Sequence, residues 1–268
     1  MKKILITGGA GFIGTNLISH LNENYKNLEI AIIDNQSLGK RSDIDCKYKK
    51  FYDADISEEK TFKALDIDFD TVIHLAASTR VLESIEQPNL MLENNIIGTF
   101  YLLEFCRVNN IRNVVIASTG GAIIGDTSKI ISEESLPMPI SPYGASKLSV
   151  EAFSNSYNVS YDMNISCLRF SNVYGPRSKK KKSVIATFFK KILNQEKLFV
   201  YGDGLQERDY IFVEDVIKAI DLCIEKQASG VFQIATGEST NIKTIIEIMK
   251  ELTELRFNSE IIYSDIKK

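Results

Sequence analysis

Apolar residues along this chain gather into short unbroken runs, separated by longer stretches in which they recur at helical spacing. The runs Lys3–Thr7, Glu29–Ile33, Thr71–Leu75, Asn113–Ala117 and Ile165–Phe170 predict strands, and the segments between them predict helices. A strand that is apolar at successive positions, such as Val114-Val115-Ile116-Ala117, has to be covered on both faces. Strand and helix in alternation therefore predict an α/β fold, a doubly wound parallel sheet. After Ser178 the pattern changes. Shorter strand candidates at Lys197–Tyr201 and Val231–Ala235 alternate with helices at Val213–Glu225 and Asn241–Glu251, which predicts a smaller C-terminal lobe. The expected division is 1–178 and 179–268, with some segments of the second part returning to the first.

The first strand runs straight into Thr7-Gly8-Gly9-Ala10-Gly11-Phe12-Ile13-Gly14 and then into a helix. In that setting Gly8 makes a tight turn, Gly11 lets a pyrophosphate approach the backbone, and Gly14 allows close helix packing. The helix N-terminus adds N–H donors and positive potential for the phosphates. Alone, such a glycine pattern is equally a simple turn. Asp34 ends the second strand, where a carboxylate accepts hydrogen bonds from a ribose diol and repels a 2′-phosphate, so NAD is expected over NADP. Lys40 and Arg41 follow a few residues later, and a turn or cap is the alternative role for Asp34. Asp55-Ile56, after a strand-like run at Tyr48–Tyr52, is read either as an adenine contact or as a helix N-cap before Ser57-Glu58-Glu59.

Chemistry is expected at Ser141-Pro142-Tyr143-Gly144-Ala145-Ser146-Lys147, a helix start with Ser141 as cap and Pro142 in the first turn. Tyr143 and Lys147 then share a face. An adjacent ammonium and a cationic nicotinamide both favour phenolate, so Tyr143 is a candidate base and Lys147 its partner and a ribose ligand. Away from a dinucleotide loop the same spacing would be an ordinary helix surface. Ala117-Ser118-Thr119-Gly120-Gly121 follows the fourth of the five main strand runs, so its hydroxyls emerge at the carboxyl edge of the sheet, where ligands bind. Thr119 is the first candidate to hold the reacting oxygen and Ser118 the second; turn-forming hydroxyls are the alternative.

Composition removes several classes. The 268 residues are 44% hydrophobic and 25% charged, enough for a sizeable core. A net charge of -3 argues against nucleic acid as a partner. No apolar stretch approaches the ~20 residues of a membrane span. Cys46, Cys106, Cys167 and Cys223 are irregularly spaced, which suits reduced thiols and a cytoplasmic setting. With only two histidines, His20 and His74, no histidine-rich metal site is expected. The charge run Lys179 to Lys182 reads as a solvated loop.

Taken together these motifs resemble the extended short-chain dehydrogenase/reductase family, and within it the NAD-dependent nucleotide-sugar epimerases and dehydratases of the UDP-glucose 4-epimerase-like branch. The resemblance spans essentially the whole chain. It includes His74-Leu75-Ala76-Ala77, Asn94-Asn95-Ile96-Ile97-Gly98-Thr99, Leu168 to Arg177, Val200-Tyr201-Gly202-Asp203-Gly204 and Arg208-Asp209-Tyr210-Ile211. It implies a Rossmann-type NAD-binding domain over 1–178 and mainly a sugar-nucleotide-binding substrate lobe over 179–268. By the same resemblance Phe12, Ile13, Asn35, Ile56, Leu75, Ala76, Ala77, Asn95 and Phe170 belong with the cofactor, Asn95 also supporting the active-site helix. Thr79, Asn172, Val200, Tyr201 and Arg208 belong with the substrate, Asn172 and Arg208 at its diphosphate; an ion pair with Glu207 or Asp209 is the alternative for Arg208, and plain packing for His74. In dehydratases Asp-Glu follows the residue matching Thr119, and Gly120-Gly121 stand here instead, so 4-epimerisation of a UDP-hexose or UDP-N-acetylhexosamine is expected. A sugar-nucleotide reductase and a non-catalytic binding protein are the alternatives. Ile124 replaces the family's usual tyrosine. The resemblance also implies a homodimer, formed through helices near Leu90–Cys106 and Tyr143–Asn158, and several dozen further residues beyond Lys268 with a second phosphate-binding arginine.

Overall fold

The structure is a computed structural model that describes residues 2–65, 68–127, 130–253 and 260–264. Seven strands form one parallel sheet: β1 (Lys3–Thr7), β2 (Glu29–Asp34), β3 (Lys50–Asp53), β4 (Thr71–His74), β5 (Asn113–Thr119), β6 (Asn164–Phe170) and β10 (Gly230–Ile234). Their order is β10-β6-β5-β4-β1-β2-β3. Connections therefore leave β1 and β4 in opposite directions, the arrangement that opens a crevice at the carboxyl ends of these strands. β5 runs two residues beyond the expected Ala117, because Ser118 and Thr119 still pair with Arg169 and Phe170.

The helices of this part are α1 (Phe12–Asn24), α2 (Glu59–Lys63), α3 (Val81–Glu86), the single turn α4 (Pro88–Leu90), α5 (Gly98–Val108), α6 (Gly120–Ile124) and α7 (Pro142–Tyr161). Met91–Ile97 winds as a π-helix that leads into α5. Leu5, Ile33, Val72 and Ile116 from the sheet pack with Leu102, Leu103 and Val150 from α5 and α7. Burying each such side chain contributes roughly 1.5–3 kcal/mol, which is why unbroken apolar strands settle in the middle of this layer.

Two compact units emerge. The first is the chain up to Phe170 together with Glu214–Ile234, which brings β10 and nearly all of α9 (Val213–Lys226) back to it. The strand read over 231–235 is β10 (Gly230–Ile234), at one edge of the seven-stranded sheet. The second unit is Ser171–Val213 and the chain from Ala235 on. It holds β7 (Asn172–Tyr174), α8 (Val184–Leu193), β8 (Leu198–Tyr201), β9 (Glu207–Phe212), β11 (Ser239–Asn241), α10 (Ile242–Thr253) and β12 (Ile261–Ser264). β7 and β11 flank β9, and β12 pairs with β8. Phe188, Ile192, Leu198, Val200, Ile245 and Ile246 make its own small core.

Candidate active site

The glycine turn adopts the geometry its composition requires. Gly8 has φ +72°, and a Cβ there would lie 2.6 Å from the Ala76 amide nitrogen. Gly14 packs so tightly that its Cβ would meet the Gly8 carbonyl oxygen at 2.5 Å. Gly11 has only that oxygen near it, at 3.1 Å, and it caps α1 without any side-chain hydrogen bond. A helix of 13 residues thus begins with no side chain closing its positive end. Phe12 and Ile13 are half-buried in the first turn.

Asp34 closes β2 beside this turn. Its Oδ2 accepts from the Ala10 N–H at 3.0 Å and its Oδ1 from the Gln36 N–H at 2.8 Å. Burial raises its pKa, against the pull of those two backbone bonds. The turn-closing role and a lone pair left for a ribose diol are therefore compatible. Lys40 spends its amine on the Gln36 carbonyl at 2.6 Å, while Arg41 donates to the Tyr48 hydroxyl at 2.7 Å and lies over the Tyr48 and Phe51 rings. Of the two cations only Lys40 acts on the Asp34 carboxylate, and burial outweighs it. Asp55 accepts from Ser57 N–H, Ser57 Oγ and the Asn35 amide. Burial acts to raise its pKa, and these bonds outweigh it and hold it below the usual range. The cap position of α2 falls to Glu58, so Asp55 is a loop-closing residue and not the helix cap. Ile56 is buried next to it.

Thr119, Tyr143 and Lys147 come together at the carboxyl end of β5. Ser141 caps α7 by accepting from the Gly144 N–H at 3.2 Å, with Pro142 in the first turn, as the sequence predicts. Gly144 is held against α6: a Cβ there would stand 2.0 Å from the Ala122 carbonyl oxygen. Tyr143 is buried and its phenol is hydrogen-bonded to the Thr119 side chain. Lys147 is 3% exposed and donates to the Ala117 carbonyl at 2.8 Å. Burial drives the phenol up to about 12 against the Thr119 bond, and the amine down to about 8. The expected shift toward phenolate invoked both the Lys147 ammonium and a cationic nicotinamide; in the protein by itself burial is the larger influence on the phenol and outweighs the Thr119 bond. Ser118 is withdrawn from the reacting side, since its hydroxyl donates to Glu151 at 2.6 Å. Phe170, the register partner of Thr119, is buried.

A buried polar frame supports this set. Asn95, in the π-helix, donates to the Ser78 carbonyl and to Ser146 Oγ, both at 2.9 Å, and accepts from the Ser78 N–H at 2.8 Å. Ser146 in turn donates to the Tyr143 carbonyl at 2.8 Å. Asn95, grouped above with the cofactor, therefore turns its amide to the protein and ties the segment after β4 to α7. His74 bridges Thr7 at 2.7 Å and Thr99 at 2.9 Å, and burial, aided by the charge of Lys147, takes it down to about 3, so it is a neutral packed residue. Leu75, Ala76 and Ala77 are half-buried beyond β4, and Thr79 is exposed.

The remaining expected substrate residues lie in the second unit. Asn172 on β7 is exposed and donates to the Asp209 carbonyl at 3.1 Å. Arg208 on β9 is exposed and donates to the Glu207 carbonyl at 2.6 Å. The Asp209 carboxylate accepts from Ser171 Oγ and from the Thr236 and Gly237 N–H groups. Val200 is 2% exposed within that unit's core, leaving only its backbone for a ligand, whereas Tyr201 is exposed. Lys181 corrects the picture of a wholly solvated charge run: it is half-buried, donates to the Val173 carbonyl at 2.7 Å and is taken down to about 8 by burial.

Sequence reasoning did not single out Gly39, Glu151 or Gln233, and named Ser146 and Asp209 without the contacts they make here. Gly39 packs on the glycine turn, where its Cβ would come 1.8 Å from the Ala10 carbonyl oxygen. The Gln233 amide fills the space a Gly120 side chain would need, 2.4 Å from that Cβ position, while nothing lies within 4 Å of the position at Gly121. Only Glu151 carried a local signal, its i+4 spacing from Lys147.

An uncapped helix behind a glycine turn, an acidic end to the second strand and a tyrosine at the edge of the fifth are the fittings of an α/β enzyme that works with a dinucleotide. The profile of the NAD-dependent epimerase/dehydratase family matches residues 4–235. The chain belongs to that family, whose cofactor is NAD. A relative described as a putative UDP-glucose 4-epimerase from Methanocaldococcus jannaschii is 37% identical over 97% of this chain and 85% of its own length. A dTDP-D-glucose 4,6-dehydratase from Dictyostelium discoideum is 35% identical over 92% of this chain and 62% of its own. The solved UDP-glucose 4-epimerase of Thermotoga maritima, with UDP-glucose, superposes with a TM-score of 0.91 at 34% identity, covering 99% of this chain and 86% of that one. Among the described residues no helix is long and apolar enough to cross a membrane.

Proposed function

We propose that this chain is an NAD-dependent 4-epimerase of a UDP-hexose or UDP-N-acetylhexosamine. The observation that carries the reading is the juxtaposition of Tyr143, Thr119 and Lys147 at the end of β5, beside Gly120 and Gly121, which bear no titratable group. The residues present fit NAD: the open end of α1 for its diphosphate and Asp34 for a ribose diol, with Asn35, Asp55, Ile56, Leu75, Ala76, Ala77 and Phe170 around it. NAD supplies the reversible two-electron acceptor that allows one sugar carbon to pass through a ketone. Tyr143 takes the proton from the C4 hydroxyl and later returns it to the ketone oxygen, Thr119 orients that oxygen, and Lys147 orients the nicotinamide ribose. Burial holds the Tyr143 phenol neutral in the protein by itself, and a cationic ring held beside it would favour phenolate.

Water elimination asks for a further acid and base beside the sugar, and the two glycines provide neither, so the likeness to a dehydratase does not extend to this point. In the second unit Asn172 and Arg208 suit the nucleotide diphosphate, guanidinium offering several fixed donors; of the other residues proposed for the nucleotide sugar, Thr79 belongs to the first unit and Val200-Tyr201 to the second.

Incubation with UDP-glucose, UDP-galactose and their N-acetyl forms is expected to interconvert at least one pair at C4, with NAD retained on purification. No interconversion of any pair overturns the reading, and release of reduced cofactor points to a reductase. We propose a homodimer through α5 and α7, a reading supported by the exposed Phe100 and Phe153 on these helices. Light scattering is expected to give twice the 30.2 kDa of the chain, and a monomer mass overturns that assignment.

A further inference from the structure

Among the described residues only three side chains of Lys, Arg, Asp or Glu are buried: Lys147, Glu151 and Arg169. They are contiguous. Glu151 stands one turn beyond Lys147 on α7. Its Oε1 accepts from Ser118 Oγ at 2.6 Å and from Arg169 Nε at 3.0 Å, and its Oε2 accepts from Arg169 Nη2 at 2.8 Å. Ser118 lies between Ala117, whose carbonyl takes the Lys147 amine, and Thr119, whose side chain is bonded to Tyr143. Ser118 and Arg169 are register partners across β5 and β6. One carboxylate thus ties the catalytic helix to the last residues of two strands.

A buried ion pair is an expensive way to hold a fold, because apolar residues of equal volume do so as well or better, while one that fixes a register has a use apolar packing lacks. We propose that Glu151 is a positioning residue: through Ser118 it fixes Ala117 and Thr119 against Lys147 and Tyr143, setting the geometry of proton transfer. This rests on the 4-epimerase reading above. Glu151 also supplies the anionic charge that Lys147 faces. The other titratable groups that act on that amine are Cys167 on β6 and His74 on β4. Burial keeps the Tyr143 and Cys167 side chains and His74 neutral, whereas Glu151 acts to hold the lysine proton.

The test compares Ser118→Ala, Glu151→Gln and the double variant Glu151→Gln/Arg169→Gln with the wild-type holoenzyme. Ser118→Ala breaks only the link to β5 and is expected to lower kcat about tenfold or more with KM and NAD content within about twofold, the signature of an interaction that matters in the transition state. Glu151→Gln is expected to do the same and, in addition, to lower the titration midpoint of the Lys147 amine, followed by 15N NMR in the cofactor-free protein. The alkaline limb of kcat moves to lower pH with it. Glu151→Gln strands the Arg169 charge, so the double variant separates folding from positioning: its thermal midpoint recovers while kcat and the lysine midpoint stay low. Wild-type kcat in both Ser118→Ala and the double variant, with an unmoved lysine midpoint, overturns the proposal and leaves the pair a purely structural one. Should the wild type interconvert no sugar pair, the epimerase reading fails, and the lysine titration still decides the place of Glu151.

Discussion

Replacing Tyr143 by Phe is expected to abolish sugar interconversion while leaving the fold and the bound NAD in place. The phenol oxygen is bonded to the side chain of Thr119, and the ring keeps its buried seat when that oxygen is removed. What disappears is the only group in the Thr119/Tyr143/Lys147 set placed to exchange a proton with the sugar hydroxyl. General acid–base groups contribute about 10²–10⁴-fold to rate, so kcat falls by that factor, with unchanged NAD content and an unfolding midpoint within a few degrees of wild type. A loss of less than about tenfold in kcat would remove Tyr143 from the chemistry.

The sheet was legible because its strands are apolar at successive positions, a pattern that only two covering layers can satisfy. Strand ends were less so. Ser118 and Thr119 carry hydroxyls that read as a turn, yet pairing with β6 keeps them extended as far as the point where Thr119 reaches Tyr143. Helix α7 was legible down to its cap, because Ser141 and Pro142 act locally. The π-helix was not, for its seven residues have ordinary helical composition, and its wider winding is a property of the folded backbone.

Residues whose work depends on a distant partner stayed hidden. A glutamate in the middle of a helix reads as solvent-facing, and Glu151 is buried only because Arg169 and Ser118, from two other elements, meet it. Lys147 shows the reverse case. Its place in the motif was evident, but its commitment to the Ala117 carbonyl, and the desolvation that takes it down to about 8, follow from tertiary burial.

Gly39 shows this most clearly, and a single methyl group there is expected to damage the cofactor site without touching any residue of the glycine motif. In Gln36-Ser37-Leu38-Gly39-Lys40 it looks like one more loop glycine, and its backbone has no left-handed φ to require one. The constraint is spatial. A Cβ on Gly39 would lie 1.8 Å from the Ala10 carbonyl oxygen and 2.3 Å from its carbon, far inside van der Waals contact, and both atoms are backbone. No rotamer relieves that clash, so either the loop after Asp34 lifts away or the turn from Gly8 to Gly11 is pushed aside. Ala10 is also the residue whose N–H binds Asp34, so either movement separates the diphosphate seat from the ribose ligand. Gly39→Ala is expected to cost about 1–3 kcal/mol of stability, as overpacking does, and to lower NAD affinity by more than tenfold in a calorimetric titration of the cofactor-free protein. Gly121→Ala, whose Cβ enters open space, is the matched control and is expected to leave NAD affinity unchanged. Equal NAD affinities in the two variants would mean that the loop after Asp34 does not shape the cofactor seat.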